Sequence, residues 1–454
     1  MTGTGSDPGA SPQNASATTA EPASPRAWPV WQRIGFRFFV VYLLLQIEPW
    51  NWFAFLPGLS QLAGWWFRLV NWSVLESNRR IFHVRDTLVP VNGSGDTSWA
   101  WTQFWLFLSV SAIACVVWSV IDRKRASYPV LGYWLRTMTR YYIAVAALSY
   151  GIIKLFALQM PFPSLSQLAT PLGDLLPMRL SWLFLGYSAK YQFFSGAMET
   201  LAGLLLLYRP TVTLGLLTAA GAFANVVMIN ISYDVPVKLY ASHLLFACVF
   251  LLAWDAKRLF TILVRNRAVS GTSVYEPPFH KRWQRGLALA AKAFLIFTML
   301  VVPFRRGWER YRVVNGPQPG GPFPVGVYNV RTFVRNGDTV PPSPLDTVRW
   351  RDVIFDNAGG GSVGTADTMF WQRYRRGYFR FRPDTTRRTA EVWRTSFALD
   401  STWLFKMRYE RPDTNTIRLW TQVRADSIYV ELARVPRHFQ LAERQFHWLS
   451  EWNR

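Results

Sequence analysis

The stretch WAWTQFWLFLSVSAIACVVWSVI, residues 99–121, runs 23 positions without a charged side chain. A helix of about 20 apolar residues matches the roughly 30 Å hydrocarbon core of a bilayer, so one such run already names the solvent. Comparable runs lie at 32–56, 140–158, 190–208, 211–231, 239–254 and 286–303, which makes seven candidate spans. Two further stretches, Leu59–Trp72 and Met178–Gly186, are shorter and rich in Trp, Phe and Leu. Aromatic residues collect at the headgroup level, so these two read as interfacial or re-entrant pieces, and the count ranges from six to eight.

Charge agrees with a membrane protein once it is divided along the chain. Fifty Lys+Arg against 27 Asp+Glu give +23, a balance that would suggest nucleic acid. Yet only 17% of residues are charged, below the roughly 25% of soluble domains. A soluble enzyme, a disordered basic protein and a nucleic-acid partner are excluded. The loops at 122–140 and 255–285 hold Arg123, Lys124, Arg125, Arg136, Arg140, Lys257, Arg258, Arg265 and Arg267 among others, whereas 159–190 and 232–238 hold three basic residues in all. The basic loops face the cytoplasm by the positive-inside rule. This predicts a multi-pass protein of the bacterial inner (plasma) membrane, N-terminus cytoplasmic and C-terminal domain extracytoplasmic.

Four regions follow. Residues 1–28, rich in Ser, Thr, Ala, Gly and Pro, form a disordered cytoplasmic tail without the basic start of a secretory signal. Residues 29–303 are the membrane domain, and 304–324, ending in NGPQPGGPFP, the linker. Residues 325–454 are a β domain: YFRFR (378–382), TAEVW (389–393), WLFKMRYE (403–410), TIRLWTQV (416–423) and SIYVELARV (427–435) alternate and are divided by turn chemistry such as PDTTRR and RPDTN. Six to eight antiparallel strands in a barrel or sandwich are expected. FDNAGGGSVG (355–364) is a loop signal that does not fit a nucleotide-binding glycine pattern. FQLAERQFHWL (439–449) reads as a strand or short helix closing the domain.

Cys115 and Cys248 both sit in apolar runs, so no disulfide framework or metal spacing is present, and no covalent cofactor is expected. The informative residues are those that hydrocarbon rejects, because an ionisable group at mid-membrane costs about 2.5–3.5 kcal/mol even on the lower scales. Lys154 lies about 21 Å along its helix from Arg140, and Glu199 about 14 Å from Lys190, at 1.5 Å per residue. Asn225, Asn230 and Asp234 occupy the outer end of the next span, and His243 the outer half of the one after. Tyr150 and Lys154 share a helical face, as do Asn230 and Asp234 if the helix continues that far. Converged, these groups form a polar pocket toward the outer leaflet, with Phe193, Phe194 and Phe246 as apolar lining. Each also has a plainer role. Lys154 can snorkel or pair structurally with Glu199, the asparagines can join helices, and His243 can be a packing residue.

The blocks YGIIKLFALQMPFPSLSQL (150–168), PLGDLLPM (171–178), FFSGAMETLAGLLLLYRPTVTLG (193–215) and NVVMINISYDVPVKLYASHLLF (225–246) resemble bacterial DoxX-like membrane proteins, over roughly 140–265. The resemblance implies a four-helix core and, from the subunit that names the family, a link to quinone oxidoreduction. A looser similarity reaches vitamin K-dependent carboxylase-like membrane proteins. Those proteins join helices to a β domain and carry a Tyr-x-x-Gly-x-x-Lys-Leu-like helix, partly matched by Tyr150, Gly151, Lys154 and Leu155. There the lysine acts as base toward a hydroquinone, a role that would fall on Lys154. QMPFPS (159–164) replaces the usual following motif, so carboxylation does not carry over. Burial disfavours the charged form of a lysine, which suits a base near neutrality.

Lys154, Glu199 and His243 are therefore the catalytic candidates. Tyr150, Asn225, Asn230, Asp234, Phe193, Phe194 and Phe246 are the substrate-binding ones, with quinone as the cofactor and no metal. The expected partners are the bilayer, a lipid-soluble small molecule, and a protein or anionic headgroups at the β domain. Two functions stand: a quinone-linked membrane oxidoreductase, or a non-enzymatic membrane scaffold or binding protein whose β domain engages a partner.

Overall fold

The computed structural model describes residues 27–54, 58–270, 281–316, 321–343, 346–367, 376–394, 402–444 and 446–449. Most of the expected tail, residues 1–26, lies outside them. Helices come first: α1 (Val30–Ile47), α2 (Leu59–Ser77), α3 (Ser98–Ile121) and α4 (Pro129–Leu155). A short turn, α5 (Leu165–Leu168), and α6 (Pro177–Tyr187) lead into α7 (Ala189–Leu207), α8 (Val212–Ser232) and α9 (Lys238–Ala253). Next come α10 (Ala256–Leu263), bent 79° from α9, then α11 (Arg282–Ile296) and α12 (Val302–Asn315). The starts are chemically marked. Pro129 occupies the first turn of α4, where an N–H would lack a partner anyway. Thr97 and Ser188 cap α3 and α7 by accepting from the N–H groups of Ala100 and Tyr191.

Among the described residues, four helical segments are long and apolar enough to cross a membrane: Val30–Trp52, Ser98–Ile121, Arg209–Ser232 and Arg282–Asn315. The bent α9–α10 pair makes a fifth if taken as one span. α4 and α7, at 27 and 19 residues, carry Arg136, Arg140 and Lys154, and Lys190 and Glu199.

Two boundaries differ from expectation. The Leu59–Trp72 piece is a 19-residue helix reaching Ser77; Glu76 interrupts the apolar run but not the helix. The first half of the expected 304–324 linker is helical, because α11, a π turn at Phe297–Val301 and α12 form one 34-residue run. Proline removes a single N–H and crowds the preceding turn, and the π turn just before Pro303 accommodates that mismatch.

The helices share two cores. One gathers α1, α2 and α3 around Phe36, Val40, Leu43, Val74 and Phe107. The other is a ring in which α4 touches α7, α7 touches α8, α8 touches α9 and α9 returns to α4. Ile143, Ala147, Leu148, Ala202, Leu206 and Ala247 fill its centre. α4 and α7 approach closely because glycine faces the contact. A Cβ on Gly151 would lie 2.4 Å from Thr200 Oγ1, one on Gly196 2.7 Å from the Gly151 carbonyl oxygen, and one on Gly203 2.7 Å from Leu148 Cγ. Small residues at such contacts let dispersion act between backbones.

Beyond Gly316 the chain builds β1 (Gly326–Arg335), β2 (Asp338–Thr339), β3 (Asp352–Phe355), β4 (Gly360–Gly364), β5 (Gly377–Asp384), β6 (Thr389–Arg394), β7 (Trp403–Glu410), β8 (Thr416–Val423) and β9 (Asp426–Val435). All pairings are antiparallel, and β9 returns to β1, so eight strands close a barrel with β2 appended to β1. The barrel-or-sandwich alternative thus resolves to a barrel, which leaves no long free edge. Tyr328, Phe333, Phe355, Ile417, Leu419 and Leu432 are among the residues that fill its interior, and Phe323 stacks on Phe355 at 4.6 Å. The FDNAGGGSVG segment is the β3–β4 hairpin. The C-terminal stretch is the short helix α13 (Gln440–Glu443).

A polar seam joins barrel and helices. The Asp356 carboxylate accepts from Ser164 Oγ and the Ser166 N–H, each at 3.2 Å. Ser166 Oγ meets Ser362 Oγ at 2.7 Å, and Ser362 accepts from Arg376 Nε at 2.6 Å. Tyr378 and Thr170 hydroxyls lie 2.8 Å apart. At the far side, Tyr187 donates to the Arg444 carbonyl at 2.9 Å.

One acid-sensitive group belongs to the barrel alone. Backbone N–H groups of Arg349 and Val348 donate to Asp346 and hold its carboxyl below the usual carboxylate range. A depressed folded-state value contributes stability above the unfolded value, near 4, that is lost as pH falls through the folded value. The Asp346→Asn chain should therefore show a shallower loss of barrel near-ultraviolet dichroism between about pH 5 and 2 than wild type. Superimposable acid titrations would refute this.

Candidate functional site

At the barrel-side end of the four-helix ring, α4, α7, α8 and α9 enclose a cavity of about 230 Å³. Tyr150 and Lys154 reach it from α4, Gln192, Ser195 and Glu199 from α7, Asn225 and Asn230 from α8, and Tyr240 from α9. Met160, Trp182, Phe223, Ile229 and Leu244 supply its apolar wall. Lys154 Nζ donates to Glu199 Oε1 at 2.5 Å, with only 9% and 2% of the two side chains exposed. The glycine contacts make this pair reachable: Gly196 lies one turn before Glu199 and packs against Lys154 Cβ.

Among the described residues, two acceptor oxygens of the cavity are buried without a hydrogen-bond partner, Glu199 Oε2 and Gln159 Oε1. Such atoms cost about 1–3 kcal/mol each when left unpaired, so they mark where a donor is missing. Nearby, Gln192 bridges the Met160 N–H and carbonyl at 3.1 and 2.7 Å, holding the QMPFPS segment against α7. Gly93, Pro236 and Val237 form a further border of the cavity. That border is tied by the Asp96 carboxylate, which accepts from the N–H groups of Lys238 and Leu239 at 2.8 and 2.9 Å.

The structure gathers Tyr150, Lys154, Glu199, Asn225 and Asn230 of the expected site residues, with Asn225 exposed at the rim. The others lie elsewhere. His243 is two positions from Ala241, about 200° around α9, and so faces α1 instead of the cavity. There it hydrogen-bonds the Tyr42 hydroxyl through Nε2 and the Leu239 carbonyl through Nδ1 at 2.6 Å. It lines a separate pocket of about 340 Å³ that shares Tyr150 and Tyr240.

Asp234 is not on the Asn230 face because α8 stops at Ser232. It turns out at positive φ (49°) and pairs with Lys238 at 2.7 Å. Phe193 and Phe194, 55% and 61% exposed, lie on the outer side of α7, and Phe246 packs on Phe39 and Phe250. Residues not singled out from sequence are Gln159, Gln192, Trp182 and Tyr240. Gln192 had a signal: with Ser195 and Glu199 it is spaced i, i+3, i+7 on one face of α7. Gln159 had none, since it follows the end of α4. No cluster of three metal-ligating side chains occurs among the described residues.

No family model matches the chain, and no solved structure matches it. It is similar to the uncharacterized protein YwoB of Bacillus subtilis (strain 168), 34% identical over 95 residues. The match covers 21% of this chain and spans 61% of the length of that relative.

Proposed function

We propose that this protein crosses the bacterial inner membrane seven times, with its barrel extracytoplasmic, and binds a quinol or similar lipid-soluble molecule in the Lys154–Glu199 cavity. On this reading the four-helix ring is a DoxX-like core, and the bound molecule takes part in redox or proton-transfer chemistry. The observation that carries the proposal is the pair of unpartnered acceptors beside a buried cation. A hydroquinone offers two hydroxyl donors, which Glu199 Oε2 and Gln159 Oε1 lack, and its ring suits an apolar wall. A cavity of about 150 Å³ already accepts a benzene ring, so about 230 Å³ fits one ring-sized head with its tail leaving at the rim. Basic residues crowd the opposite end of the ring, which supports placing the barrel outside.

Chemically, the lysine and the glutamate would share a proton with the bound hydroxyl, and the low dielectric around them strengthens that coupling. The mutual pairing of Lys154 and Glu199 favours a second reading, a non-enzymatic scaffold in which the pair only joins helices.

Gln159→Leu separates the two. It removes an unsatisfied buried acceptor, so it should leave thermal stability unchanged or raised while lowering retention of a short-chain quinol about tenfold, for about 1.4 kcal/mol of lost binding. Mass spectrometry of the lipid-soluble molecules that co-purify with the wild type identifies the occupant. A wild type that retains no quinone or quinol, and a Gln159→Leu chain that differs from it only in stability, would leave the scaffold.

A further inference from the structure

The other end of the same ring holds a second, chemically different site. Tyr133, Arg136, Thr137 and Arg140 follow one another at i, i+3, i+4 and i+7 on α4 and line a pocket of about 540 Å³. Arg209, in the turn just before α8, and Arg258, on α10, complete it, and the carboxylate among its lining residues is Asp255. Four arginines and one acid thus line a single pocket. Two of the four are held in place: Arg209 donates to the Tyr133 hydroxyl at 2.8 Å, and Arg136 lies over the Trp254 ring at 4.8 Å. Arg140 Nε is buried with no hydrogen-bond partner among the described residues.

An apolar groove of about 640 Å³ adjoins this pocket and shares Tyr133, Thr137, Arg140 and Arg209 with it. It runs between α1, α4 and α11 past Leu44, Leu131, Leu289 and Leu295. α10, bent 79° across the end of the bundle, leaves Phe260 and Leu263 exposed beside Arg258, as a helix lying in a headgroup layer would.

We propose that pocket and groove together bind an anionic phospholipid, its phosphate on the arginines and an acyl chain in the groove. Arginine suits a phosphate because its planar fork meets two oxygens at once. A free phosphate would satisfy the arginines and leave the groove empty, whereas a lipid fills both. The inference rests on the membrane placement and is independent of the quinol reading.

The test uses the full chain in detergent, observed by native mass spectrometry. Added phosphatidylglycerol and phosphatidylcholine of identical acyl chains compete, with inorganic phosphate as a third arm. Wild type should retain phosphatidylglycerol about tenfold over phosphatidylcholine, and Arg140→Gln/Arg209→Gln should bring the ratio close to one. Equal retention of the two lipids by wild type overturns the proposal, whether or not the double variant folds. Retained selectivity in a folded double variant overturns it too, as does displacement of phosphatidylglycerol by millimolar phosphate. Carbonate extraction of the expressed protein from its membranes tests the placement separately.

Discussion

Replacing Lys154 with methionine should destabilise the helical domain by about 3–5 kcal/mol, the cost of removing one partner from a buried ion pair. Methionine keeps nearly the same length and volume, so the contact with Gly196 and the ring packing survive. What is lost is the hydrogen bond to Glu199 Oε1, while Oε2 already has no partner among the described residues. The double variant Lys154→Met/Glu199→Leu should recover most of the loss, because two apolar groups in that wall leave nothing to desolvate. Detergent-titrated unfolding of wild type, both single variants and the double closes the cycle and gives the coupling directly. A coupling near zero would show that the pair does not form in the protein.

The second large effect is steric. Gly196→Ala places a methyl 2.7 Å from both the Gly151 carbonyl oxygen and Lys154 Cβ, and 2.8 Å from the Leu155 nitrogen. Two of these neighbours are backbone atoms and cannot rotate aside, so α4 and α7 must part. Overpacking of this kind costs about 1–3 kcal/mol and occasionally more. Gly221 on α8 is the control, since a Cβ there meets nothing within 4 Å. Gly221→Ala should gain a few tenths of a kcal/mol up to about 1 from helix propensity. Thermal midpoints moving in opposite directions would fit the close-contact account; equal shifts would refute it.

Periodicity made most of the architecture readable. Helices coincide with the seven apolar runs, and the five strands proposed over 378–435 coincide with β5 to β9. β1 and β4 carry a weak strand signal, because GVYNVRTFVR alternates only in part and GGSVG has loop composition. Barrel closure depends on the pairing of β1 with β9, about a hundred residues apart, and no local pattern encodes that.

The site was legible where depth alone decides. Lys154 and Glu199 were recognisable as groups that hydrocarbon rejects, whichever way their helices face. His243, Phe193, Phe194 and Phe246 needed helix rotation as well as depth, and rotation is set by neighbours. Asp234 depended on where α8 ends, two residues short of it. Gln159 belongs to a segment placed by Gln192 and by the Ser164–Asp356 seam, both outside any periodic pattern.

The glycine contacts between α4 and α7 divide the cavity mechanically. Leu148 seats against Gly203, Thr200 against Gly151 and Lys154 against Gly196, so the antiparallel helices mesh at three notches. Sliding one past the other by a turn would drive larger side chains into these notches at once. That wall, bearing Lys154 and Glu199, is an anvil. The facing border, Gly93 to Val237, is fastened by hydrogen bonds such as those of Asp96 to Lys238 and Leu239 and of the Gly95 N–H to the Pro236 carbonyl at 2.7 Å. Hydrogen bonds of that kind exchange with water far more readily than meshed helices separate. The Gly93–Val237 border is therefore the side of the cavity that yields first, while the charged wall keeps its geometry.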